Sequence, residues 1–207
     1  MKFSILGRGK AGRALASALG VDNHPHTARP EGWVVLAVPD HAITSTAAPF
    51  AGRCVHLSGS LNVPGVPCMH PLNSFDGEAR DWTGTPLALT GAPPQFLVDA
   101  FEAIGFAPFE LAPEHKALYH AAAVLTAGHA ATLWLGAEAQ LAAAGVELPG
   151  RGLWPLAEAA LDNVQRLGAA GRTGPFVRGD EATIERDARA LSEPWRTIFT
   201  TLGRALD

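Results

Sequence analysis

Residues 3–19 read FSILGRGKAGRALASAL. A short apolar run is followed by three glycines in the spacing G-x-G-x-x-G, and then by a segment in which apolar residues recur at helical intervals. The pattern predicts a buried strand, a tight glycine turn and an amphipathic helix, in that order. A glycine motif of this kind is common by chance, but the position between a strand and a helix is the one that a dinucleotide-binding fingerprint requires.

Each glycine of the motif has a physical task in such a fingerprint. Gly7 permits the tight turn, Gly9 lets backbone N–H groups approach a pyrophosphate, and Gly12 allows close packing of the helix on the strand. The N-terminus of the helix adds about half a positive charge, and the flanking Arg8 and Lys10 add cationic groups. We therefore expect these five residues to bind a dinucleotide cofactor, with a glycine turn that holds no ligand as the alternative.

Composition excludes several other classes of protein. A chain of 207 residues with 47% hydrophobic and 17% charged residues is globular rather than disordered. Its net charge of −4 argues against a nucleic-acid partner, because phosphate contacts need a basic face. No secretory signal is expected, and the uncharged, alanine-rich segment 117–137 favours a buried helix over a membrane span. Two cysteines are too few for a disulfide framework, which predicts a cytoplasmic protein.

The order of the predicted elements indicates the fold class. Short apolar runs bounded by turn residues predict strands that alternate with helices in the first half, and this alternation is typical of βαβ units with a doubly wound, mostly parallel sheet. The predicted strands are residues 2–6, 33–38, 54–57, 86–89 and 107–111, and the predicted helices between them are residues 10–19 and 94–104.

After Pro113 only helices are predicted, at residues 114–144, 153–167, 181–191 and 194–206. We expect a Rossmann-type dinucleotide-binding domain over residues 1–112, followed by an all-α domain over residues 113–207. The apolar faces of the helical domain predict pairing with a second copy of the chain.

The region of the second strand bears on which dinucleotide binds. An acidic residue about 20 positions after the fingerprint would bind the ribose 2′-hydroxyl of NAD. The candidate here is Arg29, whose guanidinium suits a 2′-phosphate, so the sequence favours NADP, with NAD as the alternative. An ordinary solvated arginine is an equal alternative. The segment 21–32, between Gly20 and Trp33, is so short that we expect a short second strand with no helix after it.

Polar residues follow other predicted strands. Val38 and Pro39 end a strand and are expected to line the ligand crevice, while Asp40 is expected to cap the next helix. Ser58 can bind a substrate oxygen or the amide of a nicotinamide. His70, which precedes a proline in a predicted extended loop, can donate to an anionic substrate. For both Ser58 and His70, the alternative is a purely structural role.

Two Cys-x-His pairs raise the alternative of a metal site. Cys54 and His56 form one pair, and Cys68 and His70 form the other. Structural zinc sites usually separate paired cysteines by two to four residues, and this spacing is absent. We therefore predict no metal, and keep a site at these four residues as a minor alternative.

These motifs, taken together, resemble a known family. The chain is similar to Rossmann-like NAD(P)-binding oxidoreductases with a helical C-terminal domain of unknown function. It is more distantly similar to pyrroline-5-carboxylate reductase, 6-phosphogluconate dehydrogenase and the deazaflavin-dependent NADP reductases. The resemblance implies a helical dimerisation domain and an active site between the two domains. The motifs that carry it are residues 7–12, 35–40, 56–59, 70–72, 119–123 and 173–180.

The resemblance also directs attention to residues in the helical half. His120 is the candidate general acid, because histidine is the side chain that most often donates a proton to a carbonyl or imine, with a structural core histidine as the alternative. Arg178 and Asn163 are candidates for substrate binding, and Arg178 can instead pair with Asp180. Gly128 stands where the family usually has asparagine, which leaves open a member that has lost catalysis.

The sequence therefore predicts an NADP-dependent oxidoreductase that transfers a hydride between a nicotinamide cofactor and a small carbonyl or imine compound. The alternative is a non-catalytic dinucleotide-binding sensor or scaffold of the same fold.

Overall fold

The computed structural model describes residues 2–205, and its first part is built on a seven-stranded sheet. The strand order is β2-β1-β3-β4-β5-β6-β7, and every neighbouring pair is parallel except β5 with β6. The predicted class, a Rossmann-type α/β fold followed by helices, is confirmed. The strands are β1 (Phe3–Leu6), β2 (Asn23–His24), β3 (Trp33–Leu36), β4 (Cys54–His56), β5 (Cys68–Pro71), β6 (Thr85–Thr90) and β7 (Phe106–Glu110).

The sheet is covered on both faces, which explains why its strands are apolar throughout rather than alternating. In β3, Val35 packs into one core, and Val34 and Leu36 pack into the other. The helices that contribute to these two cores are α1 (Lys10–Leu19) and α3 (Gln95–Ala103) on one face, and α2 (Asp40–Ala47) on the other.

The region after β2 is as short as its sequence predicts. β2 has two residues, and residues 25–32, all of which the structure describes, contain no helix before β3 begins. In a doubly wound sheet a helix usually covers this crossover. A loop takes its place here.

Two predictions about local structure are wrong. His70 lies in β5 rather than in a loop, because the extended conformation that a following proline favours is also strand conformation, and β5 pairs with β6. Asp40 does not cap α2, since Pro39 occupies the N-cap position and Asp40 is the first helical residue. The Asp40 carboxylate instead accepts a hydrogen bond of 2.8 Å from Ser60 Oγ.

The chain divides into two compact units, Met1–Ala127 and Gly128–Asp207. The predicted helical run 114–144 is helical, but it contains a π-helical segment, Leu125–His129. The division of the chain into functional domains near residue 112, where β7 has just ended, stays a prediction. The other α-helices of the described residues are α4 (Lys116–Val124), α5 (Ala130–Ala143), α6 (Trp154–Leu167), α7 (Pro175–Arg178), α8 (Glu181–Ala190) and α9 (Trp195–Gly203).

The last predicted helix was expected to end at Leu206, which lies outside the described residues. Within residues 2–205, no helix combines the length and the apolar character that crossing a membrane requires.

Gly12→Ala is expected to destabilise the fold, whereas Gly9→Ala is not. A Cβ at position 12 would overlap the carbonyl oxygen of Gly7, while a Cβ at position 9 would meet no atom within 4 Å. We expect Gly12→Ala to lower the free energy of unfolding by about 1–3 kcal/mol. Gly9→Ala should change it by less than about 0.5 kcal/mol. Urea denaturation measures both, and equal stabilities would contradict the close packing of α1 on β1.

Candidate functional site

The glycine turn leaves open space at the N-terminus of α1. Gly7 has φ +120°, and a Cβ there would overlap the carbonyl oxygen of Ala37, which follows β3. Gly9 occupies the N-cap position, and no side chain caps the helix. The N–H groups of the first helical turn have no partner within the helix, and the space beside Gly9 is open, since no atom outside the turn lies within 4 Å of where a Gly9 Cβ would be. We call this space the cradle. A pyrophosphate fits such a cradle on chemical grounds.

Asn23 holds this turn from the neighbouring strand. Its side-chain Nδ2 donates to the carbonyl oxygens of Gly7 and Gly12, each at 3.0 Å. The two carbonyls lie at opposite ends of the turn, so one amide side chain closes it. The sequence pattern did not predict this role, because it depends on β1 pairing with β2.

The other residues predicted to bind the cofactor lie around the turn. Arg8 and Lys10 are exposed, and so is Pro39, while Val38 is half-buried. The turn after β1 and the residues after β3 meet at the carboxyl edge of the sheet, where ligands bind in open α/β folds.

Arg29 lies beyond β2 rather than at its end. β2 ends at His24, and Arg29 follows five positions later in an exposed loop. Its guanidinium donates to the carbonyl oxygens of Thr27, at 3.0 Å, and Ala28, at 2.9 Å. It also lies 5.8 Å from the ring centroid of Phe50. The role of Arg29 toward a 2′-phosphate stays a prediction.

Three predicted site residues from separate segments come together beside Gly59. Gly59 follows Ser58 after β4, and a Cβ on it would lie 2.7 Å from His70 Nε2 and 2.8 Å from His120 Cδ2. The rings of His70 and His120 are 6.3 Å apart between centroids and nearly perpendicular. Only a glycine lets both imidazoles approach the loop after β4 this closely. The hydroxyl of Tyr119 lies 3.0 Å from His70 Nδ1 and belongs to the same group. We call Ser58, Gly59, His70, Tyr119 and His120 the histidine cluster.

Lys116 anchors α4 to the loop after β4. Its side chain is 1% exposed, and Nζ donates to the carbonyl oxygen of Ser58 at 2.9 Å and to Cys68 Sγ at 3.0 Å. The Cys68 thiol in turn donates to the same carbonyl at 3.1 Å. Burial raises the pKa of this thiol, against the opposing effect of Lys116. The sequence pattern did not predict the anchor, because a lone lysine at the start of a helix is normally solvated.

The Ser58 hydroxyl is engaged in a local turn. Ser58 Oγ accepts hydrogen bonds from the backbone N–H groups of Ser60, at 3.3 Å, and Leu61, at 3.0 Å. The hydroxyl proton is not used in these bonds, so it remains a donor. The contact of Ser58 with a substrate or with a nicotinamide amide stays a prediction.

His56 and His70 are held in their neutral form. Burial lowers the pKa of each to about 4, and the positive charge of Lys116 adds to the effect at both; at His70, His120 contributes more than Lys116 does. His56 is fully buried, and its Nδ1 accepts a hydrogen bond of 3.2 Å from the Ser58 backbone. A neutral imidazole can donate one hydrogen bond and accept another.

The four residues of the alternative metal site do not form a ligand set. Cys54 and Cys68 are free and buried. Over the described range 2–205, no three His, Cys, Asp or Glu side chains gather in a way that could hold a metal ion.

The remaining candidates lie in the second unit. Asn163, on α6, accepts a hydrogen bond of 2.9 Å from Arg166 through its side-chain oxygen. Arg178 is the last residue of α7. Asp180 caps α8 by accepting from the Thr183 backbone at 3.1 Å, and its bonds with Thr183 lower its pKa, with Arg178 adding to the effect. The contribution of Asn163 and Arg178 to a substrate site stays a prediction.

Comparison with known proteins shows a family and a fold. The family model described as "Domain of unknown function (DUF2520)" matches residues 85–206. No curated protein matches the chain. A crystal structure from Bacteroides fragilis, described provisionally as an NADP oxidoreductase, has a TM-score of 0.82 at 18% identity and covers 99% of this chain and 96% of its own.

Two further solved structures have the same fold at low identity. A protein from Thermotoga maritima has a TM-score of 0.73 at 21% identity. The match covers 99% of this chain and 96% of the Thermotoga chain. A reductive aminase from Aspergillus terreus, solved with NADPH and ethyl levulinate, has a TM-score of 0.62 at 18% identity. The match covers 99% of this chain and 94% of the aminase chain.

The free energy of unfolding is expected to fall as the pH is lowered from about 6.5 to about 4. Over this range an unfolded histidine takes up a proton, whereas folded His56 and His70, with pKa values of about 4, stay neutral. Each of these two histidines therefore lowers the free energy of unfolding by about 1.4 kcal/mol for every unit by which the pH falls. Urea denaturation at pH 7, 6 and 5 measures the slope. His70→Gln removes one of the two groups and should halve their contribution, and an unchanged slope would contradict the burial of His70.

Proposed function

The chain belongs to the DUF2520 family, whose description names no function, and from the geometry of its site we propose that it is an NADP-dependent oxidoreductase. The reaction transfers a hydride between a nicotinamide cofactor and a small carbonyl or imine compound. One observation carries the proposal: the open cradle at Gly9 and the histidine cluster lie on the same carboxyl edge of a parallel sheet. A dinucleotide-dependent reductase of this fold needs a cofactor site and a proton-transfer site close together, and ligands bind at this edge of the sheet.

The glycine turn would hold the cofactor. Backbone N–H groups at the start of α1 contact the pyrophosphate, with Gly9 allowing the approach and Arg8 and Lys10 adding positive charge. Val38 and Pro39 line the crevice after β3. The NADP and NADPH named for two structures of the same fold support this choice of cofactor.

Arg29 would select the phosphorylated dinucleotide. The loop after β2 reaches the adenosine side of a Rossmann crevice, where a guanidinium pairs with a 2′-phosphate. The two backbone carbonyls that Arg29 now holds are weaker partners than a phosphate dianion, so the side chain can exchange them. NAD is the alternative cofactor.

The histidine cluster would carry the chemistry on the substrate. The nicotinamide supplies the hydride when it is bound. His120 donates the proton that a carbonyl oxygen or imine nitrogen takes up on reduction. Ser58 offers a hydroxyl donor beside it, and neutral His70 binds the substrate without adding charge. Asn163 and Arg178, in the second unit, stay candidates for substrate binding, with Arg178 suited to an anionic group.

The helical half, taken as a domain from residue 113 onward, would form a homodimer. α6 presents an exposed apolar face, with Leu156 69% and Leu161 70% exposed, and Val164 and Leu167 exposed on the same helix. Covering a leucine of this kind stabilises an interface by about 1.5–3 kcal/mol. An isologous pairing of two copies covers the face on both chains.

The two cysteines of the described residues are free and buried, which supports a reducing compartment, the cytoplasm.

A second candidate function is dinucleotide binding without catalysis. The two-residue β2 and the missing helix after it favour this candidate, since both reduce the surface that usually encloses the adenosine. The same protein would then act as a sensor or scaffold. Turnover separates the two functions, because only the oxidoreductase consumes NADPH with a substrate.

NADPH is expected to bind with micromolar affinity and to quench the fluorescence of the five tryptophans. Arg29→Ala should weaken NADPH binding by about 10–100-fold and leave NADH binding unchanged, because only NADPH carries the 2′-phosphate. Gly9→Ala should weaken both nucleotides, since its Cβ enters the cradle. Arg80→Ala, which removes another exposed arginine of the first unit, is the matched control and should bind normally.

Activity is then tested with a panel of small carbonyl and imine compounds. His120→Ala should lower kcat by about 100-fold or more while NADPH affinity stays the same. Failure of the wild-type protein to bind either nucleotide would refute both functions. Normal NADPH binding without turnover of any compound would favour the sensor.

Leu161→Glu is expected to convert the homodimer into a monomer, because it places a charge in the apolar interface. Light scattering after gel filtration measures the mass. Ala182→Glu, an exposed substitution on α8, is the control and should leave the dimer intact. A monomeric wild-type protein would contradict the pairing.

A further inference from the structure

The side chain of Tyr119 belongs to the histidine cluster but has no role in the reaction described above. Its hydroxyl oxygen lies 3.0 Å from His70 Nδ1. The two rings are perpendicular, with centroids 5.4 Å apart, and the other side of Tyr119 contacts Phe109 at 6.1 Å. The phenol is therefore held in place by packing and aimed at one ring nitrogen of His70.

On the basis of the proposed reductase function, we propose that Tyr119 donates a hydrogen bond to His70 Nδ1 and so fixes the proton of His70 on Nε2. His70 then donates this N–H to the carbonyl oxygen or neutral imine nitrogen of the substrate. Tyr119 is a positioning residue that acts through His70.

The direction of the Tyr119 hydrogen bond follows from the two groups that make it. Burial raises the pKa of Tyr119 to about 12, so the phenol keeps its proton. Among the described residues, His70 Nδ1 is the hydrogen-bond partner of this hydroxyl. Burial also keeps His70 neutral, with one N–H in total. Because Nδ1 accepts from Tyr119, the N–H of His70 lies on Nε2.

The position of His70 Nε2 places its N–H where a substrate would bind. A Cβ on Gly59 would lie 2.7 Å from Nε2, so this nitrogen faces the loop after β4 at the point where His120 also approaches. The two imidazoles then have different roles. His70 offers a hydrogen bond and keeps its proton, whereas His120 gives its proton to the substrate. A neutral histidine that polarises a carbonyl needs no change of charge during the reaction.

Nitrogen-15 NMR of the free, full-length protein tests the tautomer directly. The signals of His70 among the eight histidines are identified by their loss in His70→Gln. We expect the Nε2–H tautomer in the wild type, and a shift toward Nδ1–H in Tyr119→Phe, which keeps the ring packing and loses the hydroxyl. An Nδ1–H tautomer in the wild type, or an unchanged tautomer in Tyr119→Phe, would overturn the proposal.

Kinetics tests whether the tautomer matters for turnover. The amide N–H of a glutamine lies near the position of Nε2–H, so His70→Gln keeps a donor that does not depend on Tyr119. Tyr119→Phe should lower kcat about tenfold in the wild-type background, with KM changed less, and less than twofold in the His70→Gln background. His70→Asn, whose amide lies near Nδ1 instead, should lose activity and is the matched control.

Equal losses from Tyr119→Phe in both backgrounds would show that Tyr119 acts elsewhere, and would overturn the proposal. Thermal unfolding of each variant separates these effects from loss of fold. The NMR result needs neither cofactor nor substrate. If the wild-type protein proves inactive, the proposed function fails by that result, and the tautomer still decides whether Tyr119 positions His70.

Discussion

The close approach of α1 to β1 is the constraint on which the site depends. Gly7 and Gly12 leave no room for a Cβ, and Asn23 ties both of their carbonyls to β2. The turn is therefore fixed from three directions, by β2, by the residues after β3 and by α1 itself. Only Gly9, between the two crowded positions, faces open space. The packing that stabilises the sheet thus also holds the free N–H groups of α1 at its carboxyl edge, where an anion is best stabilised.

A second constraint is the satisfaction of buried polar groups. Lys116 is buried at the start of α4, which is costly unless its amino group finds partners. The carbonyl of Ser58 and the thiol of Cys68 supply them, and this contact joins α4 to β4 and β5. Tyr119 and His120 follow Lys116 within a turn and are carried to the loop at Gly59. Their own burial keeps His56 and His70 neutral, and the positive charge of Lys116 adds to this effect. The anchor therefore helps to position α4 and also reinforces the neutral form of His70.

Local patterns were sufficient to predict much of the fold. The helix at residues 10–19 matches α1, and five predicted strands match β1, β3, β4, β6 and β7 within two residues at each end, because each is a single apolar run bounded by turn residues. β5 was missed as a strand, since its sequence gives no sign of the antiparallel partner β6. Asp40 was misplaced as a cap, because its actual partner, Ser60, lies 20 residues away.

The amino-acid order alone was enough to establish the strand–turn–helix at the start of the chain, the doubly wound sheet and the helical second half. These depend on side chains that are neighbours in sequence, whose periodicity and glycine spacing are visible in one dimension. The partners within the site became visible only in three dimensions. Tyr119 and His70 are 49 residues apart, and Lys116 and Ser58 are 58 apart. Contacts at such separations depend on which strands pair and on which faces are buried, so the tautomer of His70 and the burial of Lys116 follow from packing.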